Sequence, residues 1–220
     1  MVNENTPPRT PLIVKESLSQ DVYNEILARL MDNRLVPGTM LNRRDVAKEL
    51  GVSVAPVLEA MLRLELEGFL ESIPRKGSFV KPIRKEDVFG QLMVREALEC
   101  QGARLYCGKS VINNKDPLLE AAEELDNNIS VYTPIGWEKE IQFHISLIDL
   151  ANCPPLSQAL IKTIQLGLFY RLTQIIAIHN HPENKHVELI KRLCKATPDE
   201  AEQLIRRHLR SGKEHLIDLS

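Results

Sequence analysis

Apolar residues first recur with a helical period just after Ser17. Val22, Ile26, Leu27 and Leu30 fall three and four apart, which predicts a helix capped by Ser17 or Ser19 and running to about Asn33. Pro37-Gly38 stops that pattern and turns the chain. Val46, Ala47 and Leu50 then form the inner face of a short helix over 43–50, ended by Gly51, a residue free to take positive φ. Ser53 stands as the cap of a third helix, with Pro56 in its first turn, where a missing N–H costs nothing. Val57, Ala60, Met61 and Leu64 are its buried stripe, and Gly68 closes it. The pattern changes again over 69–73 and 78–82, two short apolar runs around Pro74-Arg75-Lys76-Gly77, which predict a pair of strands.

Beyond a linker at 83–85 the periodicity is helical to the end, in segments near 86–108, 116–130, 135–151, 154–180, 182–196 and 198–217. Thr197-Pro198-Asp199-Glu200 is a strong helix start, with Pro in first place and acids in the first turn. The fold class expected is mainly α. A Pro-rich tail over 1–15 precedes a winged helix-turn-helix over 16–82, and an all-helical bundle fills 86–220. A helix, a tight turn, a second helix and a β-wing form the shape that lays one helix in the major groove of DNA.

Charge supports that reading locally rather than globally. The net charge is −2, but residues 1–85 carry 13 Lys and Arg against 11 acids, and the stretch from Ser72 to Lys85 has five basic residues and no acid. A basic footprint on an acidic protein suffices for phosphate contact. Aromatics are 5% of the chain, so aliphatic helix-on-helix packing is expected. With no apolar run of about 18 residues, no membrane span is expected. The start of the chain has no apolar signal core, so the expected location is cytoplasmic. Cys100, Cys107, Cys153 and Cys194 form no CxxC pair and read as reduced thiols.

The run PGTMLNRRDVAKELGVS, then APV, then EGFLESIPRKGSFV, resembles the winged helix-turn-helix of the GntR family of bacterial transcription regulators. Arg43 and Arg44 begin the second helix and can reach a phosphate or a base edge. Ser53 and the first amides of the third helix can hold a phosphate. Arg63 can reach the backbone further along, and Arg75, Lys76 and Gly77 form the wing tip. The family usually carries Arg directly after the capping Ser and directly after the Pro-Val pair, where this chain has Val54 and Leu58. Losing both Arg removes the usual bidentate reading of guanine. That leaves contact of Val54 with thymine methyls, an atypical operator or weak binding; the expectation is an operator unlike the family's usual one.

Residues 86–217 resemble the helical ligand-binding domain of the FadR-type branch, the FCD group. Glu140-Ile-Gln-Phe-His144 stands where that group has an acid, three residues and His, while His186 and His208 stand at its second and third His. The resemblance implies a divalent ion, zinc or nickel, held by Glu140, His144, His186 and His208. One carboxylate and three imidazoles suit such an ion chemically. Glu140 replaces the group's usual Asp and is one methylene longer. Arg95 matches the group's Arg-x-x-hydrophobic-Glu signature, and Arg171 lies on the long helix; both are candidates to bind the carboxylate of a small organic acid. An ion pair of Arg95 with Glu99 is the competing reading, and for Arg171 a structural role competes. His179, His181 and His215 are expected at the surface.

The function expected is a ligand-responsive DNA-binding regulator, a repressor working as a homodimer on double-stranded operator DNA, with no membrane partner and no catalysis. Two rivals stay open on the sequence: a metal-dependent enzyme built on a helical bundle, and a sensor of the metal ion itself.

Overall fold

The computed structural model describes residues 17–127, 134–172 and 186–211. The chain divides into two compact units, Met1–Lys81 and Pro82–Ser220.

In the first unit α1 (Leu18–Met31) is capped by Ser17, whose hydroxyl accepts from the Gln20 N–H at 3.3 Å. Helices α2 (Arg43–Leu50) and α3 (Val54–Leu66) follow, separated by Gly51 in the left-handed region at φ 67. Strands β2 (Leu70–Ile73) and β3 (Gly77–Val80) form the hairpin. A two-residue strand, β1 (Met40–Leu41), was not legible in the sequence; it pairs antiparallel with β3, giving the sheet order β1-β3-β2. Two residues show no alternation, and β1 exists only because Phe79 and Ser78 lie opposite it. Val22, Ile26 and Leu30 of α1 are buried together with Val57, Ala60, Met61 and Leu64 of α3, closed off by Phe69, Leu70 and Val80. The apolar spacing seen in the sequence is this core.

The second unit is helical: α4 (Lys85–Tyr106), α5 (Lys109–Asn113), α6 (Lys115–Asn127), α7 (Pro134–Asp149), α8 (Pro154–Leu172), α9 (His186–Leu193) and α10 (Pro198–Arg210). Helix α4 packs against α7, α8 and α10, and α6 against α7 and α9. The helix expected over 86–108 is α4, which ends at Tyr106, and the short α5 that follows was not expected. Gly108 takes φ 70 and donates its N–H to the Leu193 carbonyl at 2.9 Å, so the chain turns off α4 and starts the short α5. The expected continuations over 128–130, 173–180, 182–185 and 212–217 lie outside the described residues.

Two features fix the spacing of these helices. Gly102 of α4 faces Ile148 of α7 so closely that a Cβ there would stand 2.9 Å from Ile148 Cγ1. Only a residue without a side chain permits that approach. Helix α10 starts on a capping box between Thr197 and Glu200, and buried Glu96 of α4 pairs with Arg206 and with Arg210 Nε, the latter at 2.7 Å. Among the described residues no helix is long and apolar enough to cross a membrane, and all four cysteines are free.

Candidate nucleic-acid surface and metal centre

The turn between α2 and α3 is set by local chemistry. Asn42 caps α2, its side-chain oxygen accepting the Arg44 N–H at 2.9 Å. Ser53 occupies the cap position of α3 in extended geometry, yet its hydroxyl makes no cap bond, contrary to the sequence expectation. The reason lies three residues on: the third helical position is Pro56, which has no N–H to offer. The Ser53 hydroxyl and the first amides of α3 therefore stay available to an anion at the positive end of the helix.

The structure also sorts the cations of this unit. Arg29 is paired with Glu25 and Glu49, and Arg34 with Asp32. Arg63, expected at the DNA backbone, is engaged internally: Nε donates to Glu67 at 3.1 Å, a terminal nitrogen to Gln20 at 2.6 Å, and its guanidinium carbon lies 3.8 Å over the Tyr23 ring. It ties α3 to α1. Burial, reinforced by a hydrogen bond to Glu67, pushes the Tyr23 hydroxyl up to about 12. By contrast Arg43, Arg44, Arg75 and Lys76 are exposed and make no ion pair among the described residues. Arg75 sits at φ 64 and Gly77 at φ 122, so the wing tip turns sharply through backbone that L-residues other than Gly seldom adopt.

In the second unit α7 presents Glu140 and His144 one turn apart on the same face, α9 begins with His186, and α10 brings His208. The three imidazoles cluster, with ring centroids 5.2 Å apart for His144 and His208 and 4.9 Å for His186 and His208. Donor atoms of Glu140, His144 and His208 all lie within 4.8 Å of one another. His144 Nε2 is 3.2 Å from Glu140 Oε1, and His186 Nε2 is 2.9 Å from Glu140 Oε2.

The opposite edges of two imidazoles are fixed by carboxylates. His144 Nδ1 lies 2.5 Å from Glu99 Oε2, and His186 Nδ1 lies 2.8 Å from Asp126 Oδ1. Asp126 also accepts the backbone N–H groups of His186 and Val187, at 2.9 and 3.0 Å, so it caps α9 and aims its first side chain together. Since a carboxylate only accepts, each Nδ1 carries the hydrogen, and a neutral ring then turns a bare Nε2 lone pair toward Glu140. Glu140 Oε2 and His186 Nε2 are buried and lie 2.9 Å apart, and with the imidazole's only hydrogen on Nδ1 neither finds a hydrogen-bond partner among the described residues. With a neutral ring, lone pairs face lone pairs across that gap, an arrangement relieved by a cation between them, a proton in the metal-free chain or a divalent ion in its place. Metal bonds of about 2.0–2.1 Å put neighbouring ligand atoms about 3 Å apart, as here. The residues present fit a divalent ion.

Electrostatics agree with that geometry. Burial raises the Glu140 carboxyl, but hydrogen bonds and charge from His144 and His186 outweigh it and hold the group well below its ordinary value. Glu99, fully buried, is penalised by desolvation yet held at about 2 by His144 and Arg95. Burial lowers His186, but Glu140 and Asp126 outweigh it and raise the group, so in the metal-free chain a proton is favoured on His186 and an ion would have to displace it. His208 is driven well below its ordinary range by burial and by its two neighbouring imidazoles, so it stays neutral, as a ligand must.

Arg95 Nε donates to Glu99 Oε1 at 2.6 Å, the ion pair weighed in the sequence. One terminal nitrogen of Arg95 is buried with no hydrogen-bond partner among the described residues. An orphaned buried guanidinium N–H is costly and is a natural seat for a carboxylate oxygen. Arg171 lies on the last turn of α8, and its side chain is outside the described residues, as are His179, His181 and His215. Sequence reasoning missed Asp126 altogether and saw Glu99 only as a partner of Arg95. Glu99 carried a faint signal, as the acid of the Arg95 signature; Asp126 carried none, since 60 residues separate it from His186.

A three-helix unit with a β-wing, joined in the chain to a helical unit with an acid-and-histidine cluster, defines a DNA-binding transcription regulator with an effector domain. Residues 18–80 match the family described as bacterial regulatory proteins, gntR family, and residues 91–211 match the FCD domain. The chain belongs to the GntR family, in its FCD-containing branch, and is a transcription regulator rather than an enzyme. It is 23% identical over 186 residues to the Nta operon transcriptional regulator of Aminobacter aminovorans, spanning 83% of this chain and 87% of that one. It is 24% identical over 226 residues to the transcriptional repressor RspR of Escherichia coli K12, spanning 93% and 91%. Among solved structures, E. coli McbR/YncC superposes with a TM-score of 0.63 at 21% identity over 91% of this chain and 97% of its own. A putative GntR regulator from Rhodococcus sp. RHA1 gives 0.66 at 20% identity over 92% and 98%. At those identities the likeness speaks for the fold.

Proposed function

We propose that this regulator is a homodimeric repressor whose grip on operator DNA is set by a small organic acid bound beside a divalent ion, zinc or nickel, in the second unit. Glu140, His144, His186 and His208 would hold the ion. Such an ion supplies a Lewis-acidic positive charge for a ligand carboxylate. Glu99 and Asp126 fix which imidazole nitrogens face inward, and the spare N–H of Arg95 offers a second hold on an acid. In the first unit Arg44, Arg75 and Lys76 contact phosphate and Ser53 anchors the start of α3. A two-fold dimer presents two such helices to a palindromic site.

The observation that carries the ion is the double encounter on Glu140, whose two oxygens each meet an imidazole nitrogen with its hydrogen on the far side. The test is metal analysis of the purified chain together with DNA retention measured with and without chelator, and with a panel of small carboxylates. A stoichiometric divalent ion is expected, lost in Glu140→Ala, with release of DNA by an acid only when the ion is present. Release by the ion alone would make the ion itself the signal; a chain without stoichiometric metal whose acid response survives Glu140→Ala would refute the site.

A further inference from the structure

The outer face of α3 lacks what a guanine-reading helix needs. Its first two turns expose Val54, Ala55 and Glu59 and half expose Pro56 and Leu58. Val54 is 43% exposed, and one turn beyond Leu58 Leu62 is 48% exposed, so an apolar stripe runs down the helix surface where solvent would favour polar groups. None of Val54, Ala55, Pro56, Leu58 or Glu59 has a side-chain N–H or O–H. Arg63, the first cation on α3, is drawn away to Glu67, Gln20 and Tyr23.

Guanine and adenine present N7, and guanine O6, in the major groove; each needs a donor that these turns do not have. Three base-edge features remain readable without one. Cytosine N4 and adenine N6 donate, and either could meet Glu59, the one acceptor on these turns. Thymine offers a 5-methyl group, which wants an apolar neighbour. The same unit carries cations to spare: Arg43 and Arg44 on α2 and Arg75 and Lys76 on the wing are exposed and uncommitted to any ion pair among the described residues. An apolar strip in a unit with uncommitted exposed cations complements a polyanion that carries methyl groups in its groove better than it complements an apolar protein face.

We infer that Val54, Ala55 and Leu58 recognise thymine 5-methyl groups, so that this chain selects its operator through apolar contacts while its cations and Ser53 supply affinity. The inference rests on α3 entering the major groove. Recognition helices read bases from their N-terminal residues, so the inference is confined to those first two turns.

The experiment uses the full chain. Duplexes are selected from a random pool, and the best binder is then resynthesised with deoxyuridine replacing one thymidine at a time, which removes only the methyl. Selected sites should be enriched in thymine at the positions facing α3. Each critical replacement should weaken binding about fourfold, the effect of one buried methyl-sized group. Val54→Arg should select guanine at its position and become indifferent to the methyl there. Duplexes bound equally well with deoxyuridine, or selected sites without enriched thymine, would overturn the inference while leaving DNA binding intact. Failure to retain any duplex would overturn the DNA reading itself.

Discussion

Glu140 and its two imidazoles make the sharpest statement at the scale of single residues. A buried carboxylate facing two lone pairs is held down by charge it must borrow, and the acids behind the imidazoles decide which nitrogens face it. Glu99 is the deeper of those acids. In the folded metal-free chain its carboxyl is held at about 2 against an ordinary 4.5, desolvation opposing and His144 and Arg95 prevailing. A depressed carboxyl contributes its full stabilisation above pH 4.5 and loses it as the pH falls from 4.5 toward 2. That contribution is on the order of a few kcal/mol. Urea unfolding of Glu99→Gln should therefore show a stability deficit at neutral pH that narrows through that acid window; a deficit independent of pH would mean the charge of Glu99 is not what matters. At this scale the clustering of Glu140, His144, His186 and His208 was legible because their types and spacing resemble a known group. Glu99 and Asp126 were not, because their meaning comes from contacts 45 and 60 residues away.

Elements were read well where local chemistry decides them. The stripes of α1 and α3, the Gly51 turn and the Thr197 start of α10 all follow from propensity and caps. Two misses share a cause: β1 is held by its partner strand, and the turn into α5 is held by a bond from Gly108 to Leu193, neighbours that those elements' own residues do not announce. The unbonded Ser53 hydroxyl is different, since Pro56 of α3 itself removes the N–H it would bond. Helix contacts are equally specific. Gly102 lies one turn beyond Glu99 on α4, and its lack of a side chain lets Ile148 of α7 come close. Gly102→Ala would place its methyl 2.9 Å from Ile148 Cγ1. Overpacking of that kind costs about 1–3 kcal/mol, beyond the helix propensity that alanine gains. Thermal unfolding should fall accordingly, and metal affinity with it as α7 is pushed back from Glu99. Unchanged stability would show that the helices can part at no cost.

The whole molecule is two separately folded units, each with its own core, and ligand effects should begin in one of them. The single tryptophan of the chain, Trp137, lies on α7 three residues before Glu140 and supplies an intrinsic fluorescent probe in the second unit. Zinc or nickel added to metal-depleted full-length protein should shift that emission and raise the thermal midpoint followed by it. At a hundredfold excess over Kd the added stability is about 2.7 kcal/mol. Glu140→Ala should remove both effects; a shift that persists in the variant would locate the ion elsewhere. The division of labour between the units was readable from the sequence at the level of class, since periodicity and charge both change near residue 85. For the effector the sequence offers an expectation only as far as a carboxylate, because side-chain types name a charge and not a carbon skeleton.

One chain of grips inside the second unit has a further consequence. Arg95 holds Glu99, and Glu99 holds His144, so the orphaned guanidinium nitrogen and the imidazole that faces Glu140 are two ends of a three-residue lever. A guest that tugs one end must be felt at the other. By thermodynamic reciprocity, whatever factor an acid applies to retention of the ion, the ion returns to the acid unchanged. The cell's metal supply and its carbon supply would then be weighed on a common beam.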